Sequence, residues 1–116
     1  MSRWIAILLL VASVLPSTAR AATQEPFKHA LIIGVSIYRD EEIPPLFGVP
    51  NDLDSAKEIA VAMGIPAGNV TELFNEQATK DRIIAELGKL AARATEGGRI
   101  LVYFSGHGTR WRDPNA

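Results

Sequence analysis

Hydrophobic positions in this chain fall into blocks whose period changes from strand to helix and back. Residues 30–35, ALIIGV, are a short unbroken apolar run bounded by polar residues. Such a run suits a strand buried on both faces. Residues 36–50 follow, and Pro44, Pro45, Gly48 and Pro50 predict a loop. Asn51 or Asp52 then predicts a helix start. Both are N-cap types, and Asp52 and Asp54 place negative charge where the helix dipole favours it. Leu53, Ala56, Ala60 and Met63 recur at helical spacing, with Ile59 beside them. Gly64 suits a left-handed C-cap and Pro66 blocks continuation. Residues 70–74 predict a second, weaker strand.

Thr79 predicts the cap of a second helix, whose apolar stripe is Ile83, Ile84, Leu87, Leu90, Ala91 and Ala94. Gly97 and Gly98 end it. Residues 100–104, ILVYF, predict a third strand that is apolar on both faces, and Ser105-Gly106-His107-Gly108 follows at once. The alternation of strands and helices argues for an α/β fold with a parallel sheet. Three strands and two helices make an incomplete sheet. The third strand is expected to expose an apolar face and an unpaired edge, so the isolated chain is expected to fold poorly.

The first residues change the picture of the whole chain. Arg3 precedes an apolar run of 11 residues at 5–15, and Ala19 and Ala21 then form an A-x-A pattern. This reads as a secretory signal peptide over residues 1–21, a lead-in over 22–28 and a domain over 29–116. The alternative is an uncleaved anchor, for which the run is short against the roughly 20 residues a span needs. Cleavage after Ala21 leaves 10 basic and 13 acidic residues, a net charge of −3. The product is expected to be exported, periplasmic or secreted, with no stable membrane span after cleavage. No basic stripe asks for nucleic acid. The chain contains no cysteine, which removes any thiol nucleophile and any Cys-based zinc site from these residues.

Ligands of open parallel sheets bind outside the carboxyl ends of the strands. The loop after the first strand, with Ser36 and Tyr38, meets that rule, and so does the 105–108 segment. A strand order of 2-1-3 makes these neighbours. His107 stands there between two glycines, which ease sharp turns and close approach of a substrate, and it can titrate near neutral pH. A general acid/base needs those properties; an ordinary turn histidine is the other reading. His29 precedes the first strand and is expected to be a solvated histidine at the opposite edge. Ser105 lacks a G-x-S-x-G elbow and reads as a turn residue. Asp52 and Asp54 read as helix-start charges, and Tyr38 as a packed loop aromatic. Phosphate-cradle, dinucleotide and HExxH zinc motifs are absent from the sequence.

The run Tyr103-Phe104-Ser105-Gly106-His107-Gly108 resembles the strand and histidine loop of caspase-like cysteine peptidases, and is closer to metacaspases and their bacterial relatives than to animal caspases. Residues 30–35 resemble that family's first core strand. Residues 46–52, LFGVPND, resemble its L-x-G-x-x-N-D stretch, and residues 75–79, NEQAT, the segment opening its second helix. The resemblance covers about residues 29–110. It implies a caspase-like three-layer fold of flavodoxin-like strand order, incomplete in this chain. It implies that His107 is the catalytic histidine and that Gly108 lends an oxyanion-hole N–H. Asp52 is implied in a pocket for substrate Arg or Lys, and protein or peptide is the implied substrate.

Two departures stand against the pattern. The family's cysteine lies about 50 residues beyond the histidine in caspases, whereas this chain has 9 residues after His107. Val49 and Pro50 occupy the stretch where some metacaspases carry a second cysteine. The expectation is an N-terminal fragment of an exported metacaspase-like endopeptidase with a Cys–His dyad, inactive as it stands. The alternatives are a non-catalytic caspase-like binding or scaffold module and a small flavodoxin-like ligand-binding domain. No cofactor is evident, and a calcium requirement finds no acidic loop pattern to support it.

Overall fold

The computed structural model describes residues 24–109, so the leader expected over residues 1–21 lies outside the described residues. Three strands carry the fold: β1 (Lys28–Gly34), β2 (Val70–Phe74) and β3 (Arg99–Ser105). Two helices connect them, α1 (Val49–Ala62) and α2 (Lys80–Arg93). The sheet is parallel throughout and its order is β2-β1-β3, as the alternating pattern and the 2-1-3 order predict. Lys28 and His29 belong to β1, because they pair with Arg99 and Ile100 of β3. The lead-in therefore ends sooner than the apolar run alone suggests.

β1 is the centre of the structure, and its two faces feed two cores. Ala30 and Ile32 point to α1 and pack with Leu53, Ala56 and Ala60. Leu31 and Ile33 point the other way and pack with Leu73 and Leu90 of β2 and α2. That two-sided burial makes three layers and explains why the run has no polar position. α1 approaches β1 closely at Gly34, where a Cβ would stand 2.8 Å from both Leu53 methyl carbons and 3.0 Å from Val49 Cγ1.

α1 begins before the predicted Asn51 or Asp52. Gly48 is its N-cap, no side chain caps it, and Pro50 lies inside its first turn. Proline is tolerated there because that N–H has no intrahelical acceptor. Asp52 is thus a first-turn acid rather than a cap. Gly64 closes α1 in the left-handed region at φ 74°, as predicted. Thr79 caps α2, its Oγ1 accepting from the Arg82 N–H at 3.3 Å.

The stripe on α2 is only partly covered. Leu90 is buried, whereas Ile84 and Leu87 remain 56% and 40% exposed. β3 divides in the same way. Leu101 and Tyr103 pack against the α1 core, but Ile100, Val102 and Phe104 on the opposite face are exposed. α2 lies over β1 and β2 and leaves that face of β3 open.

Candidate active site

The site grows from the point where β1 and β3 end together. The Val35 N–H donates to the Ser105 carbonyl at 2.9 Å, so the loop after β1 leaves the sheet beside the 105–108 segment. That loop is folded on itself by Ser36. Its buried Oγ donates to the Leu46 carbonyl at 2.7 Å, and its own carbonyl accepts from the Leu46 N–H at 2.8 Å. Asn75, just beyond β2, ties the loop to the neighbouring strand end. Its Oδ1 accepts from the backbone N–H of Ser36 at 2.8 Å and of Ile37 at 3.1 Å. Asn75 does so from φ 47°, a left-handed conformation that Asn tolerates better than most residues.

The loop presents two groups to His107. The Pro44 carbonyl lies 2.8 Å from His107 Nε2. A carbonyl can only accept, so Nε2 carries the hydrogen and Nδ1 is the basic nitrogen of the neutral ring. The Tyr38 hydroxyl accepts the His107 backbone N–H at 2.7 Å. The two rings lie 5.2 Å apart between centroids, inclined at 52°. His107 is exposed on its remaining side.

Sequence and structure agree on the position of His107 but not on the reason for its glycines. Neither Gly106 nor Gly108 is among the glycines with positive φ, which are Gly64 and Gly97. Gly106 is required for clearance: a Cβ there would stand 2.8 Å from Phe104 Cζ and 2.9 Å from Tyr38 Oη. Gly108 is exposed, with open space where a side chain would point.

Asp52 joins the same end of the sheet from the first turn of α1. Ser105 Oγ donates to Asp52 Oδ2 at 2.6 Å, a short charge-assisted bond. Ser105 is therefore more than a turn residue, and it orients the carboxylate. A crevice of about 440 Å³ opens on the β2 side of Tyr38, lined in part by Ile37, Arg39, Asn75 and Thr79.

Two participants escaped sequence reasoning, and a third was placed by it without a role. The Pro44 carbonyl is a backbone group, and its proline reads only as a loop marker. The sequence places Tyr38 in the loop at the ligand end of the sheet, but there it reads only as a packed aromatic. Asn75 carries the signal of an Asn at a strand end, a residue type suited to left-handed turns.

His29 sits at the far end of β1, and it is not simply solvated. Its Nε2 is 2.8 Å from Thr71 Oγ1, and its ring stacks on Phe27 at 5.7 Å with 7° between planes. Arg93 covers the Phe27 ring, 4.6 Å from its centroid. Pairing β1 with β2 brings Thr71 beside this end of the strand, which a local reading of residue 29 does not anticipate. Partial burial lowers the His29 pKa below the ordinary histidine value, the Arg93 charge adds to this, and Glu86 partly opposes it.

A caspase-domain family model matches residues 27–115. The chain belongs to the caspase-domain family of peptidases. Searches of curated proteins and of solved structures gave no match. Among the described residues, no helix is long and apolar enough to cross a membrane.

Proposed function

We propose that this chain supplies the histidine-bearing part of a metacaspase-like cysteine endopeptidase that cleaves after Arg or Lys. The observation that carries the reading is the His107 imidazole at the end of β3, held through Nε2 by the Pro44 carbonyl with Nδ1 left as base. In the reaction, Nδ1 takes the proton of a cysteine thiol. The thiolate adds to the peptide carbonyl, and the imidazolium gives its proton to the leaving amine as the C–N bond breaks. The Pro44 carbonyl keeps its bond to Nε2–H through these steps. Gly108 N–H is assigned to the oxyanion, where one such donor is worth on the order of 10²–10³ in rate. The Asp52 carboxylate, oriented by Ser105, is assigned to the guanidinium or ammonium of the substrate side chain.

The thiol must come from outside these 116 residues, since none of them is cysteine. A further strand laid along the open edge of β3 would bring it beside His107, and the exposed Ile100, Val102 and Phe104 would receive a covering layer. Residues 1–21 would direct export, and the substrates would be exported or extracellular proteins.

The natural protein tests this with peptide amides carrying Arg, Lys or Asp before the scissile bond. Amidase activity is expected on Arg and Lys substrates and to fall at least ~100-fold in His107→Ala, the scale of general acid–base catalysis. Activity within a few-fold of wild type would remove His107 from the chemistry. Asp52→Asn is expected to erase the preference for basic residues; an unchanged preference would take Asp52 out of the pocket. Intact mass and N-terminal sequencing test the start at Ala22. A mature protein that ends at Ala116 and has no amidase activity would favour the caspase-like binding module.

A further inference from the structure

We infer that Tyr38 is the positioning residue for His107: it fixes the histidine backbone through its hydroxyl and the imidazole through its ring. This rests on the reading of His107 as the acid/base. The two contacts are distinct. Tyr38 Oη accepts the His107 N–H at 2.7 Å, and the phenol ring stands against the imidazole at 5.2 Å. The Nε2 contact to Pro44 fixes only one ring nitrogen. The chain on either side of His107 is Gly106 and Gly108, and glycine flanks leave a backbone freer than any other residues do. An acid/base between two glycines needs an external hold on its own main chain, and Tyr38 gives it.

The geometry also assigns Gly106 its reason. The hydroxyl occupies the space that a side chain at 106 would fill, since a Cβ there would stand 2.9 Å from Oη. Gly106 and Tyr38 are therefore a matched pair: the glycine leaves room, and the hydroxyl takes the hydrogen bond. Tyr38 is itself anchored. Ile37, directly before it, donates its N–H to Asn75 Oδ1 at 3.1 Å, and Ser36 is buried. The hold on His107 thus runs from the end of β2 through the loop to the end of β3.

His29, the other histidine of these residues and placed at the opposite end of the sheet, serves as internal control in the imidazole ¹⁵N spectrum. In the folded natural protein, cross-relaxation is expected between Tyr38 ring protons and His107 ring protons. In Tyr38→Phe, the His107 amide is expected to exchange with solvent about 5–10-fold faster, the scale of one lost hydrogen bond. In Tyr38→Leu, which also removes the ring, the His107 imidazole nitrogens are expected to shift, while those of His29 stay in place. An unchanged His107 spectrum and exchange rate in the variants would overturn the assignment. Should the variants unfold the chain, which His29 would report, the wild-type cross-peaks decide: their absence overturns the assignment and their presence sustains it. These spectra need no thiol. Failure of the acid/base reading would appear only in the amidase assay, and failure of the Tyr38 contact only here.

Discussion

Replacing Asn75 tests the anchor of the site more sharply than replacing His107, because its consequences can be worked out separately. Asn75→Ala removes an acceptor from two backbone N–H groups. Ser36 is buried, at 6% exposure, so its orphaned N–H costs about 1–3 kcal/mol. Ile37 is 63% exposed, and water replaces the lost partner at little cost. Alanine must also hold φ 47°, a left-handed conformation costing roughly 1–2 kcal/mol. The sum is about 2–5 kcal/mol. For a domain of this size each kcal/mol lowers the melting midpoint by about 4–8 °C, so a drop of at least ~8 °C is expected by far-UV circular dichroism. Asn75→Gly relieves the conformational part alone and is expected to recover roughly 1–2 kcal/mol of the loss. Asn75→Asp keeps an acceptor and is expected to stay close to wild type. Ala and Gly variants that both melt within ~2 °C of wild type would refute the clamp.

Three further outcomes are expected. Gly34→Ala pushes a methyl to within 2.8 Å of Leu53, and overpacking of this kind costs about 1–3 kcal/mol in urea unfolding; a neutral or stabilising result would show that α1 can move off β1. The His29 pKa is lowered in the fold, so the unfolded chain binds the proton more readily. The contribution of His29 is complete above the unfolded value, near 6.5, and is lost as the pH falls through the folded value. His29→Gln should flatten the acid side of a stability–pH curve, and a parallel curve would reject that assignment. Lys57 Nζ lies 2.7 Å from Glu72 Oε2, an oxygen shielded from solvent that has no other partner among the described residues. The contact with Glu72 raises the Lys57 pKa. Lys57→Met should therefore cost about 1–3 kcal/mol by stranding the carboxylate, a value that exposure of the lysine reduces. Glu72→Gln in the same background should restore much of the loss, and additivity of the two changes would exclude the pair.

The sheet was legible because β1 has no polar position between Ala30 and Ile33, a short run that suits a strand covered on both faces. The helices were legible from spacing, and the start of α1 was misread because Pro50 reads as a breaker unless its first-turn position is known. At the site, His107 was legible as a residue between glycines at a strand end. The groups that hold it were not. Pro44 acts through a carbonyl, which every residue carries. Tyr38 acts on a residue 69 positions away, and Ser105 reaches Asp52 across 53 positions. Such pairings follow from strand order and register, which local patterns do not encode. His29 was misjudged for the same reason, since Thr71 reaches it only through the pairing of β1 with β2.

The two contacts on His107 come from one short span, Tyr38 and Pro44, and the intervening turn is closed by its own bonds. The Ile43 N–H reaches the Asp40 carbonyl at 3.1 Å, and the Glu42 N–H reaches Asp40 Oδ1 at 3.0 Å. Arg39, Glu41 and Glu42 face solvent, so their identities are free to drift without touching the histidine. Their number is not free. One deleted residue shortens the reach of the span by up to about 3.6 Å, more than a hydrogen bond can stretch, and one of the two contacts must then let go, whereas an added residue can loop out into solvent. In this stretch the site tolerates spelling changes and rejects shortening, so deletions, rather than substitutions, are the lesions expected to silence it.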